Sequence, residues 1–508
     1  MIPMPSSTGR RASNCERPVT RKENTVSTKA PGPARLGQRA TLLVLSITQL
    51  MVTVDVTVVT IAYPHIQDSL GIDPVQLQWV TTAYTVAFGG FLLLAGRAAD
   101  LLGKRRIFLA GLTLFTLASA LCAAGQSGWQ LFAARGLQGL GAALVVPSSL
   151  ALLTTTFEEG RARNRAMAIW GSVASLGAVT GYALGGVVTD TLGWRWAFLL
   201  NVPIGVVCLV LTRRLAPEQR PPERRRLDLA GAVTLTAGMI LLILAVTSAK
   251  ANGTGPALLV AAAGVILLIV FTVVERRQSA PLVRLGIFRN RNVVAGNVIS
   301  VINAASPAAV IFFTSLYLQN ILELSPWQAG LSFAPVTVLS AVLARQTGPL
   351  MNKIGPKALL IAGGISASIG ALWLSRAPLD GSYAVDVLPG IILTSLGSVT
   401  AFAPSMIVST SGVDPSEQGL ASGLVSTSQQ VGITLGLAAF VTVAATVTGD
   451  GHTGGADLLS GYHAGYRGAV VMPLVSVAIA ALAVRIRKPA ETAPAEPQDI
   501  GEAQEASS

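Results

Sequence analysis

Apolar runs of about twenty residues recur along this 508-residue chain, separated by short segments that hold most of its Lys and Arg. A helix of about 20 residues spans the ~30 Å hydrocarbon core of a bilayer, and inside that core each backbone polar group must be bonded within the protein. The pattern predicts an all-α polytopic membrane protein and excludes an ordinary soluble enzyme. Composition agrees, because 51% of residues are hydrophobic and only 12% charged, where soluble domains carry about 25% charged residues.

Spans are predicted near 40–60, 79–99, 107–126, 130–153, 167–189, 196–212, 228–247, 257–274, 293–318, 330–350, 358–375, 386–406, 420–446 and 467–484, fourteen in all. Lys and Arg accumulate on the cytoplasmic side of a membrane. With both termini in the cytoplasm, the basic clusters at Lys104, Arg105 and Arg106, at Arg161, Arg163 and Arg165, and at Lys353 and Lys357 all fall there. Only Arg195, Lys250, Arg376 and Arg467 face the other side. Twelve or thirteen spans would put some clusters on the wrong side.

Residues 1–39, rich in Ser, Pro, Arg and Lys, are expected to form a disordered cytoplasmic leader, and residues 488–508 a disordered cytoplasmic tail. The net charge of +12 sits beside apolar runs, not in a patch with interleaved aromatics, so no nucleic-acid partner is expected. Cys15, Cys122 and Cys208 are too scattered for a disulfide scaffold, and His65, His452 and His463 form no metal-ligand cluster. No cofactor is expected.

An internal repeat divides the spans. The stretch GRAADLLGKRRIFLAG from Gly96 resembles GPLMNKIGPKALLIAG from Gly348, with Gly96, Gly103 and Gly111 facing Gly348, Gly355 and Gly363, and Arg105 facing Lys357. Pro147 and Pro404 repeat at a similar offset. Such repeats are a transporter signature. The reading is an N-terminal six-helix bundle (40–212), a linker with two extra spans (213–292) and a C-terminal six-helix bundle (293–487).

Within the spans, ionisable residues are rare and expensive. Asp55 in the first span costs several kcal/mol unless it faces a cavity, pairs or takes a proton, which suits it to proton relay or substrate contact; the alternative is a fixed hydrogen-bonding site. Arg135 in the fourth span carries a permanent charge and is read either as an electrostatic partner of Asp55 or of another carboxyl, or as an anchor of helix packing. Gly96, Asp100, Gly103, Lys104 and Arg105 read as a gating charge latch, or as a purely topogenic basic loop. In the fifth span Gly177, Gly181, Gly185 and Gly186 permit close helix approach, for static packing or for a rocking contact. Polar and aromatic residues of the later spans, Asn297, Asn303, Phe312, Tyr317, Gln429 and Gln430, are candidates for contact with a substrate.

Taken together these residues resemble the major facilitator superfamily, most closely its fourteen-helix bacterial drug:proton antiporters, over about residues 40–485. The family's loop motif is matched at Gly96, Asp100, Gly103, Lys104 and Arg105. Its fourth-span motif is matched at Arg135, Gly136, Gln138, Gly139 and Gly141, and its first-span acidic signature at Asp55, Thr57 and Pro64. A further match is WRWAFLLNVPIG from Trp194 to Gly205. One departure is that Tyr182 follows Gly181 where the antiporter motif has proline. The resemblance implies a major facilitator fold in the bacterial inner membrane, exporting small lipophilic or cationic compounds in exchange for protons, with Asp55 and Arg135 in proton coupling and the monomer as the working unit. Alternatives are a dedicated exporter of one endogenous metabolite and a non-transporting membrane receptor or scaffold.

Overall fold

The computed structural model describes residues 33–157, 161–215, 229–278, 285–413, 418–449 and 454–484. Among them run long helices α1 (Pro33–Ile61), α2 (Trp79–Leu102), α3 (Lys104–Ala124), α4 (Gly128–Thr156), α5 (Arg161–Thr191), α6 (Asn201–Leu215), α7 (Leu229–Asn252), α8 (Thr254–Arg277), α9 (Arg291–Asn320), α10 (Ala334–Ile354), α11 (Pro356–Leu374), α12 (Leu388–Thr410), α13 (Gln418–Thr448) and α14 (Gly455–Ala483). Eleven stretches among the described residues are long and apolar enough to cross a membrane. Leu258, Leu259, Ile266 and Ile269 of α8 stand more than half exposed, a contiguous apolar surface suited to lipid and unsuited to water. The fold is all-α and multi-pass.

Two expected boundaries move. The first helix begins at Pro33, so residues 33–39 leave the expected leader; Pro suits a first helical turn and Ala34, Arg35 and Leu36 are good helix formers. The last helix begins at Gly455, twelve residues before the expected 467, because its first turns are amphipathic: Leu459 and Tyr462 are buried while Ser460 is exposed. The rest of the leader and the tail lie outside the described residues.

The turns carry their own chemistry. Asp73 starts the short helix Pro74–Leu77 with a capping box, its Oδ1 accepting from Gln76 N at 2.8 Å. At the repeated loops Gly103 (φ 104°) and Gly355 (φ 83°) turn the chain between α2 and α3 and between α10 and α11. A side chain is strained in that conformation.

Helix pairing repeats as the sequence does. The contacts α1–α5, α2–α4, α3–α4, α1–α6 and α3–α6 recur as α9–α13, α10–α12, α11–α12, α9–α14 and α11–α14. At the α3–α4 crossing a Cβ on Gly111 would lie 2.9 Å from Gly141 O, and at the α11–α12 crossing one on Gly363 would lie 2.7 Å from Gly397 O. Small residues let the backbones meet there. Arg105 Nη2 donates to Arg213 O at the end of α6 (2.5 Å), and its counterpart Lys357 Nζ donates to Ala481 O at the end of α14 (2.6 Å). Each cation satisfies a carbonyl at the negative end of a helix.

Helix α7 lies against both α2 and α13, burying Met239 and Ile243 beside Val86 and Ala438. Helix α8 packs chiefly on α7, through the close approach of Gly238 and Gly264.

Candidate functional site: a buried ion pair beside a shared cavity

Asp55 and Arg135 meet. Arg135 Nη1 donates to Asp55 Oδ2 at 2.7 Å, with the side chains 1% and 0% exposed. Asp55 Oδ1 accepts from Gln138 Nε2 and from Asn201 Nδ2, both at 2.7 Å. Arg135 also donates to Gln138 Oε1 (2.6 Å) and, through Nε, to Val80 O (2.7 Å). Gln138 Nε2 reaches Ser119 Oγ at 2.8 Å. The network therefore ties α1, α2, α3, α4 and α6 together through one carboxylate.

Local sequence explains the placement. Arg135 and Gln138 are one turn apart on α4 and share a face. A Cβ on Gly139 would fall 2.9 Å from the carbonyl carbon of Tyr84, so glycine brings α4 close to α2. That approach sets the guanidinium 4.4 Å above the Tyr84 ring, with Phe198 at 5.7 Å, a cation–π arrangement in the buried interior. Replacing one member of such a pair leaves an uncompensated buried charge, at about 3–5 kcal/mol.

The cavity lies on another face of α1. Its volume is about 330 Å³, and its wall draws Val56, Thr60 and Tyr63 from α1 and the segment after it, Thr81 from α2 and Tyr182 from α5. From the later helices come Ser300, Asn303 and Phe312 of α9, Phe402 and Ser405 of α12 and Gln429 of α13. Asp55 is absent from this wall, although its neighbour Val56 is part of it. The volume falls in the range of small-molecule sites, about 300–1,000 Å³.

Of the expected substrate contacts, Asn303, Phe312 and Gln429 line the cavity. Asn297 is buried, bonded to Val293 O and to Ser428 Oγ. Tyr317 donates to Pro378 O, and Gln430 packs against Gly89 across the α2–α13 contact. These three lie off the wall: Asn297 and Tyr317 are bonded to other parts of the protein, and Gln430 is packed between helices. The wall residues that sequence reasoning missed are chiefly Tyr63, Thr81 and Tyr182. Tyr182 had a signal, since it stands where the resembled motif has proline.

At the end where α1 and α9 finish, the early and late helices close on each other. Ser315 Oγ donates to Thr60 O (2.9 Å) and Gln319 Nε2 to Ile61 O (3.2 Å). Tyr63 packs on Phe312 with centroids 5.1 Å apart, and Tyr182 stacks on Phe333 at 4.9 Å. Among the described α5 glycines, only Gly186 serves this closure; the others hold α5 to α1. Gly177, Gly181 and Gly185 sit against Thr53, Thr57 and Val58 of α1, while a Cβ on Gly186 would meet Trp327 Cα at 2.6 Å. Of the loop motif, Gly96 faces Pro147 of α4 at ordinary contact distance, Lys104 opens α3 and Arg105 caps α6. The side chain of Asp100 lies outside the described residues. Among the described residues no three His, Cys, Asp or Glu side chains gather as metal ligands.

The Major Facilitator Superfamily profile matches residues 45–437. The chain is 40% identical over 456 residues to the cephamycin export protein CmcT of Amycolatopsis lactamdurans, covering 88% of this chain and 93% of that one. It is 37% identical over 417 residues to the puromycin resistance protein pur8 of Streptomyces alboniger, covering 80% and 82%. Among solved structures, a bacterial homologue of the lysosomal transporter Spinster superposes with a TM-score of 0.67 at 15% identity, over 91% of this chain and 100% of that one. The nucleoside transporter NupG superposes at 0.65 and 12% identity, over 87% and 99%. At such identities the structures establish the fold alone. Sequence match, repeated helix pairing and multi-pass fold agree, and the chain belongs to the Major Facilitator Superfamily, a multi-pass transporter of the bacterial inner membrane and not an enzyme.

Proposed function

We propose that the chain is a secondary active exporter that moves small lipophilic, drug-like compounds out of the cell in exchange for protons. Two six-helix bundles, 40–212 and 293–487, rock about the shared cavity, with α7 and α8 of the 213–292 segment inserted between them and both termini cytoplasmic. Each chain holds both bundles, so the monomer suffices. The observation that carries the reading is the cavity built jointly by early and late helices and closed at one end, with the Asp55 network one helix face away.

Asp55 is the proton carrier and Arg135 its electrostatic partner. A carboxylate that accepts three hydrogen bonds holds α1 to α4 and α6; a proton on Asp55 removes the charge that Arg135 neutralises and one of the accepting positions. The links across the bundle then weaken, and α1, whose next residue Val56 is cavity wall, becomes free to shift. Of the fifth-span glycines, Gly186 forms the rocking contact between the bundles, with the segment before α10, while Gly177, Gly181 and Gly185 pack α5 on α1 within the first bundle. Gly96, Asp100, Gly103, Lys104 and Arg105 form the cytoplasmic gate, in which Arg105 grips the end of α6.

A relative named for cephamycin export favours a second reading, an exporter dedicated to one endogenous compound. Everted membrane vesicles test both. Under a proton gradient, vesicles with the protein should accumulate members of a panel of antibiotics and host metabolites, and a protonophore should abolish the uptake. Accumulation of one compound only supports the dedicated exporter. Gradient-independent uptake equal to that of vesicles without the protein removes both readings.

A further inference from the structure

The cavity wall is mostly apolar, with a few polar side chains and, among the described residues, no Asp, Glu, Lys, Arg or His. Asp55, whose neighbour Val56 is on the wall, and Arg135 are turned into the first bundle and satisfy each other. A cation or anion resting in this cavity would lose hydration with no opposite charge to replace it, and such transfers are heavily penalised.

Most of the wall's hydroxyl protons are already committed. Thr60 donates to Val56 O at 3.2 Å, Ser300 to Gly296 O at 2.8 Å, Ser398 to Thr394 O at 2.8 Å and Ser405 to Phe402 O at 2.7 Å. Tyr63 and Thr81 bond each other through their hydroxyls. The groups left to meet a ligand are the amides of Asn303 and Gln429, the hydroxyl of Tyr182 and the one hydroxyl proton that the Tyr63–Thr81 pair does not use.

Asn303 stands apart from the other two. Its Nδ2 is buried and has no hydrogen-bond partner among the described residues, an arrangement that proteins avoid unless something else satisfies the donor. It sits beside Pro307, one turn along α9, and opposite Ser398 of α12. On the same wall Phe312 and Tyr63 present an aromatic pair contributed by the two bundles.

We propose that this cavity takes compounds without net charge that present a carbonyl or similar acceptor on a largely apolar body, and that Asn303, by turning its unpartnered amide toward the cavity, is the specificity-determining donor to that acceptor. The proposal rests on the exporter reading for the cavity's role as the transport site. It narrows the substrate class from lipophilic or cationic compounds to uncharged ones.

Equilibrium dialysis with the purified full-length protein tests it, using chloramphenicol as an uncharged amide and tetraphenylphosphonium as a cation. The wild type should bind chloramphenicol at least tenfold more tightly than the cation. Asn303→Leu should weaken chloramphenicol about tenfold, and Asn303→Asp should weaken chloramphenicol while tightening the cation. Asn303→Ser, smaller and still polar, serves if the leucine variant fails to fold, and should also weaken chloramphenicol. Equal or tighter binding of the cation by wild type, no binding of chloramphenicol, or unchanged chloramphenicol affinity in a folded Asn303 variant would overturn the proposal. Dialysis needs no gradient. Selective binding without proton-driven export would therefore remove the exporter reading and leave this inference standing, while proton-driven export of the cation alone would do the reverse.

Discussion

The two halves of the molecule pair their helices alike and fill the space between them differently. In the first, α1 meets α4 and α6 through a carboxylate, a guanidinium and two amides. In the second, α9 meets α14 through aromatic rings: Phe313 contacts Tyr462 and Tyr466 with centroids 6.0 and 5.9 Å apart. The polar links there are neutral, such as Thr314 with Tyr466 at 3.0 Å. One scaffold thus carries an ionic centre in its first half and a neutral aromatic centre in its second. Under the proposed mechanism, a switch placed in only one half would turn a symmetric fold into a directional device.

The largest effect should come from breaking the ionic centre. Arg135→Met leaves Asp55 buried without its partner, and we expect a loss of about 3–5 kcal/mol, read by unfolding of the purified protein in detergent. Adding Asp55→Asn should recover much of that loss, so a double-mutant cycle should give a coupling of more than about 1.5 kcal/mol; additive losses would show that the pair is not coupled. The scaffold, by contrast, should respond equally on both sides. Gly141→Val and Gly397→Val each force a side chain into backbone, Phe115 N at 2.6 Å in one case and Ala367 N at 2.6 Å in the other, and each should cost about 1–3 kcal/mol. A large inequality between them would contradict the shared packing. The smallest effect belongs to the aromatic centre: Tyr466→Phe removes one neutral hydrogen bond and keeps the ring, for about 0.5–1.5 kcal/mol, with transport and its pH dependence unchanged.

Much of this was legible in the residues, and the remainder fails for a physical reason. Apolar run length locates the helices, and the spacing from Gly96 to Gly348 locates equivalent loops whose cations then cap equivalent helices. Asp55 and Arg135 are readable as partners because each is costly alone. What the sequence does not reveal is which way a side chain faces on a helix that is apolar all round, since periodicity then has no polar face to mark. Gln429 and Gln430 are adjacent, yet one lines the cavity and the other packs against Gly89. Asp55 and Val56 divide in the same way, the acid into the bundle and the valine onto the wall. Tyr182 was visible only as a departure from a motif, and its stacking on Phe333 gives that departure a place in the closure between the halves.

The central claim is that the ionic centre couples protons to the cavity without itself being part of the cavity wall. Its most direct test is Asp55→Asn in proteoliposomes, confirmed as folded, measured for proton-driven uphill transport and for gradient-free exchange of labelled substrate across the same membrane. The account predicts that uphill transport is lost while exchange persists, because the asparagine cannot carry the proton and the cavity is untouched. Uphill transport at the wild-type rate in that variant would contradict it.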